Sequence, residues 1–316
     1  MKRKIAVVFL VLCLLLTACT PLSRKEDEVQ STATPLLYKV SDENGNVLWL
    51  FGSIHVGMES YYPLPEYVLT AFDGSDALAV EMDIMAFEWN FPLQAQLLQK
   101  LMYLDGSTVQ SHLQPETYRR AVEILEENES YNESFTYYKP VFWWSTIESL
   151  CMKKTGAQTT LGIDRHLLKR ARNDGKPVRE VESAEFQYGI MAEFSEELQI
   201  ELLESSIALY DNWEASAADL QQMMDLWAGG DEAAFAAYLN TEAEFADEQE
   251  AALYAEYNDK LIVQRNATMT EYAEEALLSG EEIFICVGAA HIVGQGAIVE
   301  NLRELGYTVE IVTAES

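Results

Sequence analysis

Apolar and polar positions alternate in two short runs near the start of the chain. Leu36-Leu37-Tyr38-Lys39-Val40 and Val47-Leu48-Trp49-Leu50-Phe51-Gly52 flank the polar stretch Asp42-Glu43-Asn44-Gly45-Asn46. Two β-rich runs joined by Asn-Gly predict a hairpin. The second strand runs straight into Gly52-Ser53-Ile54-His55. Leu64 to Ala71 reads as a helix, and Asp76 to Met82 as an apolar strand with Glu81 at its carboxyl end. Residues 86–158 are largely helical in spacing, with aromatic patches at Tyr137-Tyr138 and Phe142-Trp143-Trp144. Gly162-Ile163-Asp164 starts a basic helix, Asn173-Asp174-Gly175 ends it, and Pro177 to Glu182 predicts another strand. Ala184 to Ser279 is helix after helix without a fixed-period repeat. The chain closes with a strand (Glu282 to Val287), Gly288-Ala289-Ala290-His291, a helix (Ala297 to Leu305) and a strand (Tyr307 to Val312).

Strands near both ends, a helical middle and βα units predict an α/β (α+β-like) domain over residues 36–316. Its central sheet is expected to be mixed and partly parallel, with a large helical insertion at about residues 184–279. In open α/β sheets, ligands gather at the carboxyl ends of the strands. Residues that leave those ends therefore carry the most functional weight.

The segment ahead of the domain has another purpose. Lys2, Arg3 and Lys4 precede an unbroken apolar run from Ile5 to Leu16. That run is too short to cross a hydrocarbon core ~30 Å thick as a helix, but it suits a signal peptide, here residues 1–18. Leu16-Thr17-Ala18-Cys19 resembles the bacterial lipobox, so Cys19 is the expected lipidation site. The protein is then expected outside the cytoplasm, anchored to the membrane through that lipid. Residues 19–35 are polar and read as a flexible tether. Lys and Arg number 21 against 52 Asp and Glu, a formal charge of −31. Such a surface repels nucleic acid, which is excluded as a partner. Cys151 and Cys286 remain in the domain; a disulfide between them is one alternative, but Cys286 sits in an apolar strand and two buried free thiols are expected.

Two segments share one design. Trp49-Leu50-Phe51-Gly52-Ser53-Ile54-His55 and Ile285-Cys286-Val287-Gly288-Ala289-Ala290-His291 each run strand, glycine, two small or apolar residues, histidine. Glycine permits a sharp departure from a strand, and the histidine then projects from the sheet's carboxyl end. Glu81 would reach the same edge from a third strand. Two imidazoles and a carboxylate suit zinc, manganese or cobalt, with positions left open for water. The same groups also suit acid–base work without metal. The chain holds four histidines, and two of them fall in this matched context. His166 reads as a helix-surface residue, His112 as a loop residue, Phe142-Trp143-Trp144 as core, and the acidic run Glu242 to Glu250 as a solvated helix face.

Taken in order, the segments from Leu50 to Gly57, Gly162-Ile163-Asp164, Glu180-Val181-Glu182 followed by Gln187, Arg265-Asn266 and Gly288-Ala289-Ala290-His291 resemble the TraB/GumN (TraB/PrgY/Tiki-like) family. That family includes pheromone-shutdown proteins and the Tiki proteases that act on Wnt. The resemblance implies a fold related to the erythromycin-esterase and ChaN-like group, and metal-dependent peptide hydrolysis in the members called proteases. Position by position, it makes His55, His291 and Glu81 the metal or catalytic groups. It makes Arg265 a site-lining residue that stabilises an oxyanion or anchors a carboxylate, with Asp164, Ser53 and Asn266 supporting from behind. The expectation is a membrane-anchored extracytoplasmic hydrolase of secreted peptides or proteins that uses Mn, Co or Zn. The alternative is a lipoprotein that binds and sequesters a pheromone-like peptide without cutting it. Haem binding, suggested by the ChaN-like relationship, is a third.

Overall fold

A computed structural model of the chain describes residues 31–241 and 245–314. The signal peptide, Cys19 and residues 19–30 of the tether lie outside the described residues, as do residues 242–244 of the acidic run. Six strands form one sheet: β1 (Leu37–Ser41), β2 (Val47–Ser53), β3 (Ala77–Val80), β4 (Val178–Glu180), β5 (Ile283–Gly288) and β6 (Thr308–Val312), in the order β4-β3-β5-β2-β1-β6. β2, β5, β3 and β4 run parallel, while β1 pairs antiparallel with both β2 and β6. The fold is thus the mixed, mostly parallel α/β sheet with many helices that the periodicity predicts.

The hairpin forms with the register Leu37↔Phe51 to Ser41↔Val47. Its turn is held by the Asp42 carboxylate, which accepts the backbone N–H of Asn44 and of Asn46 at 2.9 Å each. Gly45 there has φ +85°, a left-handed conformation that costs a glycine little. β3 and β5 are buried almost throughout, as expected of parallel strands covered on both faces.

Helices on both sides of β4 build a second apolar core beside that of the sheet. Pro140–Lys154, carrying buried Trp143 and Trp144, packs along Glu196–Asp211, and Phe91–Lys100 and Pro115–Glu127 join them. Helices from residues 86–158 and from residues 184–279, both expected from their spacing, therefore share one core, because the aromatic patch at 142–144 takes partners from both segments.

Three local readings change. Ser31–Pro35, polar enough to pass for tether, is laid against the domain: Ala33 is buried, Thr32 N–H donates to Ser60 O (3.0 Å) and Thr34 N–H to Ala228 O (2.7 Å). Main-chain pairing holds this segment, and composition does not report it. His166 is half-buried with its ring 4.3 Å from that of Tyr62, and burial first, then Arg170 and Lys169, lower its pKa to about 4. The acidic run is solvated where it is described, but it turns helical only at Glu248. Cys151 and Cys286 are buried free thiols. Among the described residues no helix is long and apolar enough to cross a membrane.

Candidate active site

Four neighbouring parallel strands each deliver a polar residue from the carboxyl end. In sheet order these are Glu182 just past β4, Glu81 past β3, His291 past β5 and His55 past β2. β2 and β5 are aligned so that Ser53 faces Gly288 and Gly52 faces Val287, which sets the two Gly-x-x-His segments side by side. Neither glycine has a positive φ. Their part is to leave space. A Cβ on Gly52 would meet Ala289 at 3.0 Å, and one on Gly288 would meet the Glu81 carboxylate at 3.0 Å.

Each imidazole is oriented through Nδ1. His55 donates to Asp164 Oδ2 at 3.0 Å. Asp164 arrives on the Ile163–Asp174 helix, whose first N–H docks on Ile54 O at 3.0 Å. That approach leaves no room for a side chain at 162, where a Cβ would lie 2.7 Å from His55 O. His291 donates to Asn266 Oδ1 at 2.7 Å, while the Asn266 amide nitrogen donates to Gly296 O at 2.9 Å and so fixes which way the amide points. In both rings Nε2 is the nitrogen not engaged from behind, and on His291 that atom is buried without a hydrogen-bond partner.

The two environments are opposed. For His55, burial lowers the pKa, but the charge and hydrogen bond of Asp164 and the charge of Glu81 outweigh it and raise the value to about 9. For His291, burial and then the Arg265 cation lower it to about 3. The His55 side chain is 27 % exposed, whereas His291 is 1 % exposed, so one marks the mouth of the site and the other its floor.

The carboxylates are organised by Arg265, which is 1 % exposed. Its Nη2 donates to Glu81 Oε2 at 2.6 Å and to Glu182 Oε2 at 2.8 Å, and its Nε donates to Glu182 Oε1 at 2.8 Å. The other Glu81 oxygen accepts the Gly288 N–H at 2.6 Å. Burial acts to raise the Glu81 pKa, but Arg265, both histidines and that N–H hold it down near about 2. Glu182 is pushed the other way by burial and by the Glu81 charge, against the pull of Arg265. Arg265 and Asn266 are adjacent in sequence yet both buried. They follow a π-turn, Asp259–Val263, of the kind that recurs at functional sites.

His55, Glu81, Ser53 and His291 line a cavity of about 60 Å³ whose other walls are apolar. The donor types fit a divalent cation once His55 gives up its proton: two imidazoles, each ring held from behind through Nδ1, and an ionised carboxylate. Among the described residues, no three His, Cys, Asp or Glu side chains already stand at metal-holding spacing.

Comparison with known proteins matches residues 36–311 to the TraB/PrgY/gumN family model. The chain belongs to that family. Within the TraB/PrgY/gumN family it is similar to YbaP of Escherichia coli (strain K12) and of Shigella flexneri. Each is 27% identical over 259 residues, covering 80% of this chain and 87% of the relative. No solved structure matches.

The structure brings His55, Glu81, His291, Arg265, Asp164 and Asn266 together as one site, and Ser53 lines its cavity. Glu182 and Gln187, which carry part of the resemblance but are given no role from the sequence, also belong to the site. Gln187 Nε2 donates to Glu182 Oε2 at 2.9 Å and lies 3.5 Å from Glu81 Oε2. The signal was present: Val181-Glu182 repeats Val80-Glu81, an acid one step past a parallel neighbour, and Glu182 N–H donates to Glu81 O at 2.9 Å. Arg265 is expected from the resemblance to line the site, but it is not among the residues lining the cavity; it is buried behind Glu81 and Glu182, whose carboxylates it holds.

Proposed function

We propose that this TraB/PrgY/gumN protein is a metal-dependent hydrolase of peptide bonds, tethered outside the cytoplasm through lipidated Cys19. The observation that carries the reading is His291 Nε2, a buried, unprotonated and unpartnered nitrogen facing a cavity shared with His55 and Glu81. An unpaired polar atom at such a place is costly without a purpose. A divalent cation of the Mn, Co or Zn class would be held by His55, His291 and Glu81, and it would supply a polarised carbonyl and a more acidic water. Asn266 holds His291 in the tautomer that offers Nε2, and Asp164 fixes the His55 ring through Nδ1, where a cation would have to displace the Nε2 proton. Arg265 keeps Glu81 ionised, and Gly288 leaves room for its carboxylate. The enclosed apolar walls equally suit the sequestering reading, in which a peptide is held and released intact.

The test uses the full chain in lipid nanodiscs with peptide pools, each cation in turn, and a chelator. Cleavage that one of these cations supports, that the chelator abolishes, and that His55→Ala and His291→Ala each lower by at least about a thousandfold is the expected result. Saturable binding with intact peptide recovered would favour sequestration. Full activity in His55→Ala would end the catalytic reading.

A further inference from the structure

Five of the residues lining the cavity belong to none of the groups above: Met152 from the Pro140–Lys154 helix, Leu220 and Met223 from Trp213–Gly229, and Phe235 and Leu239 from Glu232–Leu239. The strand ends thus supply the reactive groups and the helices supply apolar wall around one cavity. We infer that this apolar wall forms a side-chain pocket for substrate, so that the site selects peptides with Leu or Met beside the attacked carbonyl. The inference rests on the hydrolase reading and adds a substrate class to it.

The chemistry of the walls points to that occupant. None of the five wall residues carries a charge or a hydrogen-bonding side-chain group beyond a thioether. A lysine, glutamate or asparagine side chain would therefore lose its water without replacement, which disfavours it. Methionine walls are unbranched and adaptable, so Leu and Met should be received alike. The occupant's backbone would then lie against His55, Glu81 and His291, where the chemistry is.

The experiment measures kcat/KM on the full chain in nanodiscs for one peptide series differing at a single position: Leu, Met, Ala, Asn, Lys and Trp. Leu and Met are expected at least tenfold above Ala, with Asn and Lys lower still. In Met223→Lys the Leu-to-Ala ratio should collapse toward one, and in Leu239→Ala the Trp peptide should gain relative to Leu. Thermal melts of both variants establish that they fold. Titration calorimetry of the same peptides under chelation gives a second readout. Cleavage without preference between Leu and Lys would overturn the pocket and leave the hydrolase standing. Leu-selective binding, lost in Met223→Lys, without any cleavage would keep the pocket and remove the hydrolase. Neither cleavage nor binding across the series would overturn both.

Discussion

His291 illustrates how much a neighbouring amide decides. The Asn266 carbonyl oxygen accepts the Nδ1 proton, which leaves the lone pair on the buried Nε2. Asn266→Ala keeps the ring but frees its tautomer. Cation affinity measured by titration, and kcat/KM, are each expected to fall about 10- to 100-fold. An unchanged affinity would mean that the amide is ordinary packing. Gly288 makes a second case. Its φ is unexceptional, yet a Cβ would press on the Glu81 carboxylate. Gly288→Ala should therefore impair activity far more than it lowers the melting temperature, and the two measured together decide it. Arg265→Met leaves Glu81 and Glu182 buried without their cation. Breaking such a pair costs about 3–5 kcal/mol, readable as a shift in the urea midpoint. The paired histidines were legible in the sequence because their motif repeats. The glycines' reason was not, because a close approach between strands far apart in sequence leaves no mark on local conformation.

At the scale of elements, the hairpin, the parallel strands and the strand-end acid Glu81 could be read from alternation and turn residues. The position of β5 between β3 and β2 could not, since nothing local states which strand pairs with which. The same holds for the second core, where Trp143 and Trp144 are partnered by helices from both sides of β4. Within that core Glu148, on the Pro140–Lys154 helix, is 3 % exposed, and its Oε1 has no partner. Burial raises its pKa to about 8 from an ordinary 4.5. Between those values the folded state holds a proton that the unfolded chain has released, so stability falls as pH rises through that window. The loss is at most about 1.4 kcal/mol per pH unit. Glu148→Gln has no such proton to lose. Its advantage over the wild type in urea melts should widen from pH about 5 to about 8, and parallel curves would show that the carboxyl does not titrate in the fold.

For the molecule as a whole, a formal charge of −31 is the dominant fact outside the site. The site itself is nearly balanced, since Arg265 and a charged His55 stand against Glu81, Glu182 and Asp164. The excess lies on the surface, where like charges repel in the compact state more than in the expanded chain. Salt shortens that repulsion to about 10 Å at 0.1 M. The melting temperature should therefore rise between about 20 mM and about 500 mM NaCl, by roughly 2–4 °C for each kcal/mol of repulsion relieved in a domain of this size. A general solute effect would also raise it, so one substitution separates the causes. Glu271 and Glu275 are exposed and four residues apart on the Gln264–Ser279 helix, a spacing at which like charges oppose each other and opposite charges attract. Glu275→Lys should stabilise the protein by about 0.5–1 kcal/mol at low salt and flatten the salt slope, because it removes repulsion that salt would otherwise have screened. A steeper slope in that variant, or a wild-type melting temperature that falls with NaCl, would mean that the surface acids are already neutralised by neighbours and that the net charge does not govern stability.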